Sequence, residues 1–231
     1  MTDDTQDPPE QVVITRDGLA DGSLLANIRT KLPPGMIVRS DAEIASSLEQ
    51  TLASHDPDAD VWVFGYGSLM WNPAFDYAER QVGVIRGWHR RFCLWLDMGR
   101  GSPDNPGLML ALDRGGTCRG VAFRIPARDV RSELLVIWRR EMFGTAYLAR
   151  WVEVKTPCAS VPAITFVVNR DHPRYAGKLS DAEAATRIAS ASGSLGTCAA
   201  YLQNTLDHLV ALGIRDAALE RIVAETAKTS P

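Results

Sequence analysis

An α+β protein, its mixed β-sheet wrapped into a barrel and flanked by helices, is what the sequence predicts, and three observations carry that expectation. From Val61 onward, short apolar or alternating runs rich in β-branched and aromatic residues follow one another, separated by Gly, Pro and Asp clusters. A single stretch of helical periodicity interrupts them, and three more close the chain after the last run. At 231 residues the chain can bury one substantial core, or one core with an appendage, but two full domains would be crowded.

Taken in order, residues 1–57 form an N-terminal extension, expected to be partly disordered before about residue 20. It holds a short strand at residues 12–15, the turn formers Pro33, Pro34 and Gly35, and a helix over residues 40–53 capped by Ser40 or Asp41, which should dock on the main body. His55-Asp56-Pro57-Asp58 punctuates the chain and opens the main domain, residues 58–231. Strands are predicted at residues 61–64, 81–85, 90–96, 108–112, 118–125, 146–154 and 163–168. A helix starts after Pro126, with Asp129 in its first turn, and runs to Met142. Residues 180–191, 197–212 (stopped by Gly213) and 216–227 supply the closing helices.

Composition narrows the function. Hydrophobic residues make up 45% and charged residues 23%, ordinary for a globular protein. No apolar run reaches the roughly 18 residues a bilayer crossing needs, and the acidic start is unlike a secretory signal, so a soluble cytoplasmic protein with no membrane partner is expected. Cys93, Cys118, Cys158 and Cys198 form no Cys-x-x-Cys pair, and His55, His89, His172 and His208 have no ligand spacing; no metal and no cofactor are predicted. Residues 1–60 carry 12 acidic and 4 basic side chains, and the rest carries 16 and 21, a net of +5. That excess suits a small anionic ligand, and equally a surface whose charges merely balance; it lacks the Lys/Arg clustering of a nucleic-acid binder.

Three motifs could carry chemistry. In Val61-Trp62-Val63-Phe64-Gly65-Tyr66-Gly67-Ser68-Leu69-Met70 an apolar strand runs into a loop with two glycines two residues apart. Such a loop is either an ordinary tight turn or one whose N–H groups approach an anion unhindered. It lacks both the third glycine of a dinucleotide fingerprint and the Gly-Lys-Ser/Thr of a phosphate loop. In the second motif, Leu134, Ile137, Trp138 and Glu141 occupy i, i+3, i+4 and i+7, which sets a carboxylate on an apolar helix stripe. A carboxylate dried by Trp and Ile has its pKa raised toward general acid/base use; the alternative is a helix-end Glu that turns to solvent or pairs with an Arg. The third, Gly87-Trp88-His89-Arg90-Arg91-Phe92, interleaves aromatic and basic residues as a base-stacking surface does, but alternates as a strand does, and the strand reading is preferred.

Together with Arg139-Arg140-Glu141-Met142, Tyr147 and Ala191-Ser192-Gly193-Ser194-Leu195-Gly196-Thr197, these motifs resemble, in order, the ChaC family of glutathione-specific γ-glutamylcyclotransferases from Val61 to Gly213. Met142-Phe143-Gly144-Thr145-Ala146-Tyr147 looks like its bacterial branch. The resemblance implies a γ-glutamylcyclotransferase-like fold and conversion of glutathione to 5-oxoproline and cysteinylglycine. It also implies Glu141 as catalytic acid/base, Gly65, Tyr66, Gly67, Ser68, Leu69 and Met70 around the γ-glutamyl end of a small-molecule substrate, and Tyr147 in the pocket. The alternatives are a cyclotransferase for other γ-glutamyl amino acids or amines, and a non-catalytic ligand-binding module on the same scaffold.

Overall fold

The computed structural model describes residues 14–32 and 36–229. Helices α1 (Arg16–Ala20), α2 (Ser23–Thr30) and α3 (Asp41–Leu52) precede strand β1 (Val61–Gly65). Two long strands follow, β2 (Glu79–Leu96) and β3 (Gly107–Ile125), then helix α4 (Val130–Glu141) and strands β4 (Tyr147–Lys155) and β5 (Ser160–Val168). Helices α5 (Asp181–Ser190), α6 (Cys198–Ala211) and α7 (Ala217–Thr229) close the chain, with a two-residue-per-strand hairpin between α5 and α6.

The sheet closes into a barrel in the order β1-β3-β2-β4-β5. Neighbours in that order are antiparallel, and β5 returns beside β1 in parallel, Val63 opposite Ile164. Phe64, Ile85, Leu112, Ala122, Val154 and Val167, contributed by all five strands, meet in one buried cluster. Opposite faces of the same strands join a larger core with α4, α5, α6 and α7, as expected when successive strand side chains point to opposite sides.

The predicted strands at 81–85 and 90–96 are one strand, and so are those at 108–112 and 118–125. The glycines that looked like strand ends are bulge residues instead. Gly87 (φ 82°) faces Gly115 (φ 99°) and Gly116 (φ 69°), and the pairing slips between Arg86 opposite Thr117 and Trp88 opposite Arg114. The bulge bends both strands without ending them, and its left-handed backbone is cheap only for glycine. A second irregularity between Phe92 and Leu94 leaves Phe92, Cys93 and Leu94 all buried, which breaks the alternation expected of that stretch.

In the extension, Val12 and Val13 of the predicted strand lie outside the described residues, as do Pro33, Pro34 and Gly35. Ile14 and Thr15 are not strand: the Thr15 hydroxyl accepts from Gly18 N at 3.2 Å and caps α1. Residues 16–20, in the stretch expected to be partly disordered, are therefore helical, and residues 1–13 of that stretch fall outside the described residues. The α1 segment is held by α4. Arg16 Nε donates to Glu133 Oε2 at 3.3 Å, and Arg139 Nη1 donates to Leu19 O at 2.8 Å. Ser40 and Glu43 form a capping box at the start of α3, and Trp138 Nε1 of α4 donates to Ser47 Oγ at 3.3 Å. Leu19, Leu25, Ile44 and Leu48 thereby join the core of Trp138. Among the described residues no helix is long and apolar enough to cross a membrane.

Candidate active site

The end of β1 and the end of α4 meet over one cavity. After Gly65 the chain makes a single 3-10 turn, Ser68–Met70, in which Met70 N donates to Gly67 O at 2.9 Å and Asn72 N to Ser68 O at 2.9 Å. As in any first helical turn the leading N–H groups lack internal partners, and those of Gly67, Ser68 and Leu69 donate to no described residue. Glycine is needed at 65 for packing rather than for φ. A Cβ there would stand 3.0 Å from Leu69 Cβ and 3.3 Å from the Phe123 ring.

Two arginines hold this loop. Arg90, buried in β2, donates from Nε to Tyr66 O at 2.5 Å and from Nη2 to Arg119 O at 2.7 Å, while Nη1 pairs with Asp216 at 2.5 Å. This is the residue whose aromatic-basic surroundings suggested nucleic-acid stacking, and its charge is spent inside the protein. Arg140 grips the loop from the other side. Its Nη2 donates to Ser68 Oγ at 2.8 Å, its Nη1 to the carbonyls of Asn72 and Pro73, and its Nε lies 3.1 Å from Glu141 Oε1.

Glu141 ends α4, on the stripe whose Leu134, Ile137 and Trp138 are fully buried. Its side chain is 16% exposed and lines a cavity of about 170 Å³. Burial pushes its pKa up, opposed only in part by the Arg140 guanidinium. Both alternatives drawn from the sequence thus hold together: the carboxylate is dried and also paired. Three tyrosines surround the cavity, Tyr66, Tyr147 and Tyr201, and burial, with the nearby Glu141 charge adding to it, holds each phenol's pKa above its ordinary value. They stay protonated hydrogen-bond donors at neutral pH. The Tyr147 proton is committed to Leu110 O at 2.8 Å.

Of the residues singled out from the sequence, Tyr66, Gly67, Ser68, Leu69, Glu141 and Tyr147 line this cavity together. Gly65 and Met70 do not: Gly65 belongs to β1, and Met70, 4% exposed, packs into the core. Sequence reasoning missed Arg140, Tyr201 and Ile14, which also line it. Arg140 stood beside Glu141 in the motif and could have been weighed as its ion-pair partner. Tyr201 sits on α6, and Ile14 precedes α1; no local pattern connects either to Glu141.

Comparison with solved structures defines the class first. A yeast γ-glutamylcyclotransferase specific to glutathione superposes with a TM-score of 0.66 at 22% identity, covering 74% of this chain and 96% of that one. The architecture is therefore the γ-glutamylcyclotransferase barrel. The family model described as ChaC-like protein matches residues 61–229, and the chain belongs to that family. It is 43% identical over 185 residues to the glutathione-specific γ-glutamylcyclotransferase of Escherichia coli K12, covering 80% of each protein. To the glutathione-specific γ-glutamylcyclotransferase 1 of the mouse it is 34% identical, covering 77% of this chain and 82% of that one.

Proposed function

We propose that this protein is a γ-glutamylcyclotransferase that converts glutathione to 5-oxoproline and cysteinylglycine, with Glu141 as general acid/base. On this reading the catalytic domain is residues 58–231, the segment 1–57 is an extension whose helix α3 docks on it, and the turn containing Tyr66, Gly67, Ser68 and Leu69, together with Tyr147, receives the γ-glutamyl end. The observation that supports it most is a carboxylate with raised pKa lining one small cavity with a turn whose Gly67, Ser68 and Leu69 N–H groups donate to no described residue.

The chemistry needs little more. Glutathione's α-amino group attacks its own γ-amide carbonyl, so nucleophile and electrophile arrive in one molecule and no covalent enzyme nucleophile is required. An α-amino group has a pKa of about 7.7–8.0 and is largely ammonium at neutral pH. Only the free amine can attack, and Glu141 takes one of its two protons as the ring C–N bond forms. It then gives the proton to the cysteinyl nitrogen as the γ-amide C–N bond breaks. The N–H groups of residues 67–69 would meet the substrate's anionic oxygens and hold the chain folded for attack. Arg140, bonded to both the turn and Glu141, keeps base and donors in fixed relation.

Mass-spectrometric detection of 5-oxoproline from glutathione tests the reading. Wild-type protein should release it, and Glu141→Gln should remain folded and lose turnover. Failure of wild type on glutathione and on every other γ-glutamyl peptide tried would remove the proposal.

A further inference from the structure

The catalytic cavity shares two of its wall residues, Tyr201 and Met109, with a second and larger groove of about 590 Å³. By itself the catalytic cavity, at about 170 Å³, falls below the roughly 300–1,000 Å³ usual for a ligand pocket. The remainder of a peptide whose γ-glutamyl end lies near Glu141 has to leave past this shared wall.

One side of the groove comes from outside the stretch that matches the family model. Met36, Ile37 and Val38 line it, forming a strap between α2 and α3. Val38 bridges to Gly144, Arg39 N donates to Phe143 O at 2.8 Å, and Arg39 Nη1 donates to Met142 O at 2.8 Å. The strap is thus tied to the backbone that immediately follows Glu141.

The polar groups of the groove are incompletely matched. Arg100 Nη1 donates to Thr197 O at 3.0 Å, and its guanidinium lies 5.2 Å from the Tyr201 ring centre. Arg174 Nη1 stands 3.8 Å from Asp97 Oδ1, too far for a hydrogen bond. Asp97 Oδ1 is itself buried with no hydrogen-bond partner among the described residues, a condition that calls for an explanation. His172 Nδ1 accepts from Arg174 N at 3.1 Å, which leaves Nε2 to donate to Thr145 Oγ1, also at 3.1 Å. The lining therefore sets two guanidinium cations against one carboxylate, beside the apolar strap.

We propose that this groove seats the departing part of the substrate, a peptide ending in a free carboxylate. Arg100 and Arg174 pair with that carboxylate, Asp97 Oδ1 accepts a peptide N–H, and Met36, Ile37 and Val38 pack against the peptide. The inference rests on the cyclotransferase reading and deepens it, making the N-terminal strap part of substrate selection.

The test compares kcat and KM for glutathione and for its C-terminal amide. In wild type the amide should show a KM about tenfold higher, with the loss falling mainly on KM, as when binding shared by ground and transition states is removed. Arg174→Gln and Arg100→Gln should each raise KM for glutathione several-fold and leave KM for the amide nearly unmoved, whereas a merely structural role would move both alike. Arg174→Lys, which keeps the charge, should retain part of the preference. Equal KM values for the two compounds in wild type, a comparison that needs no variant to fold, would overturn the subsite and leave the cyclotransferase reading standing. Turnover of neither compound, nor of any other γ-glutamyl peptide, would overturn the reading itself.

Discussion

Replacing Arg140 by Met removes one guanidinium that serves two purposes, so it should separate the stability of the loop from the acidity of Glu141. Arg140 is 7% exposed and bonds Ser68 Oγ, the Asn72 and Pro73 carbonyls and the Glu141 carboxylate. Hydrogen bonds to a charged group contribute about 1.5–3 kcal/mol each, but the apolar replacement also escapes the cost of burying a cation. Because Glu141 is left without its partner, the net loss should be about 3 kcal/mol, toward the lower end of the range for breaking a buried pair. For a chain of this size that is a fall in Tm of roughly 6–12 °C. The electrostatic effect runs the other way from an ordinary loss of a base. Arg140 holds the Glu141 pKa down against burial; without it the pKa rises further, and the acid limb of the kcat/KM profile moves to higher pH. Thermal unfolding followed by circular dichroism measures the first effect, and 5-oxoproline release across pH measures the second. A variant with unchanged Tm, or an acid limb that stays put or moves to lower pH, would refute the assigned role.

Glu141→Gln carries its own pH signature. Because the folded pKa of Glu141 lies above its unfolded value, its protonation favours the folded state at low pH. That contribution is lost as pH rises from the ordinary carboxylate range through the raised pKa; the wild type should therefore lose stability relative to Glu141→Gln across that window in urea titrations. Trp138→Ala empties a fully buried site shared by α3, α4 and β5 and should cost about 3–5 kcal/mol in the same titration. Gly120→Ala would put a Cβ 2.3 Å from Gly65 O and 2.8 Å from the Phe64 ring, forcing β1 away from β3; low soluble yield or a sharply reduced Tm is expected, and wild-type stability would contradict the close approach.

Much of the site was legible because two of its parts are local. The Gly65-Tyr66-Gly67 loop follows directly from a strand, and the stripe of Leu134, Ile137, Trp138 and Glu141 needs only helical spacing. The N-terminal region was read less well. Thr15 and Arg16 carry no periodicity that announces a five-residue helix, and α1 is held by partners more than a hundred residues away, Glu133 and Arg139. Likewise Gly87 and Gly115 each look like the end of a strand until the two are seen facing one another across a bulge.

By itself, then, the order of residues determined which segments from Val61 onward are extended and which helical, where α3 and α5 begin at their Ser-x-x-Glu boxes, and that one carboxylate lies on an apolar face. Only the tertiary structure decided that Arg140 joins Glu141 to the loop, that Tyr201 and Ile14 complete the cavity, and that the strap at Met36, Ile37 and Val38 walls the neighbouring groove. The physical reason is distance along the chain. Periodicity and capping act over a few residues, whereas those neighbours are brought together by barrel closure and by helices docking on it, which depend on the whole core at once.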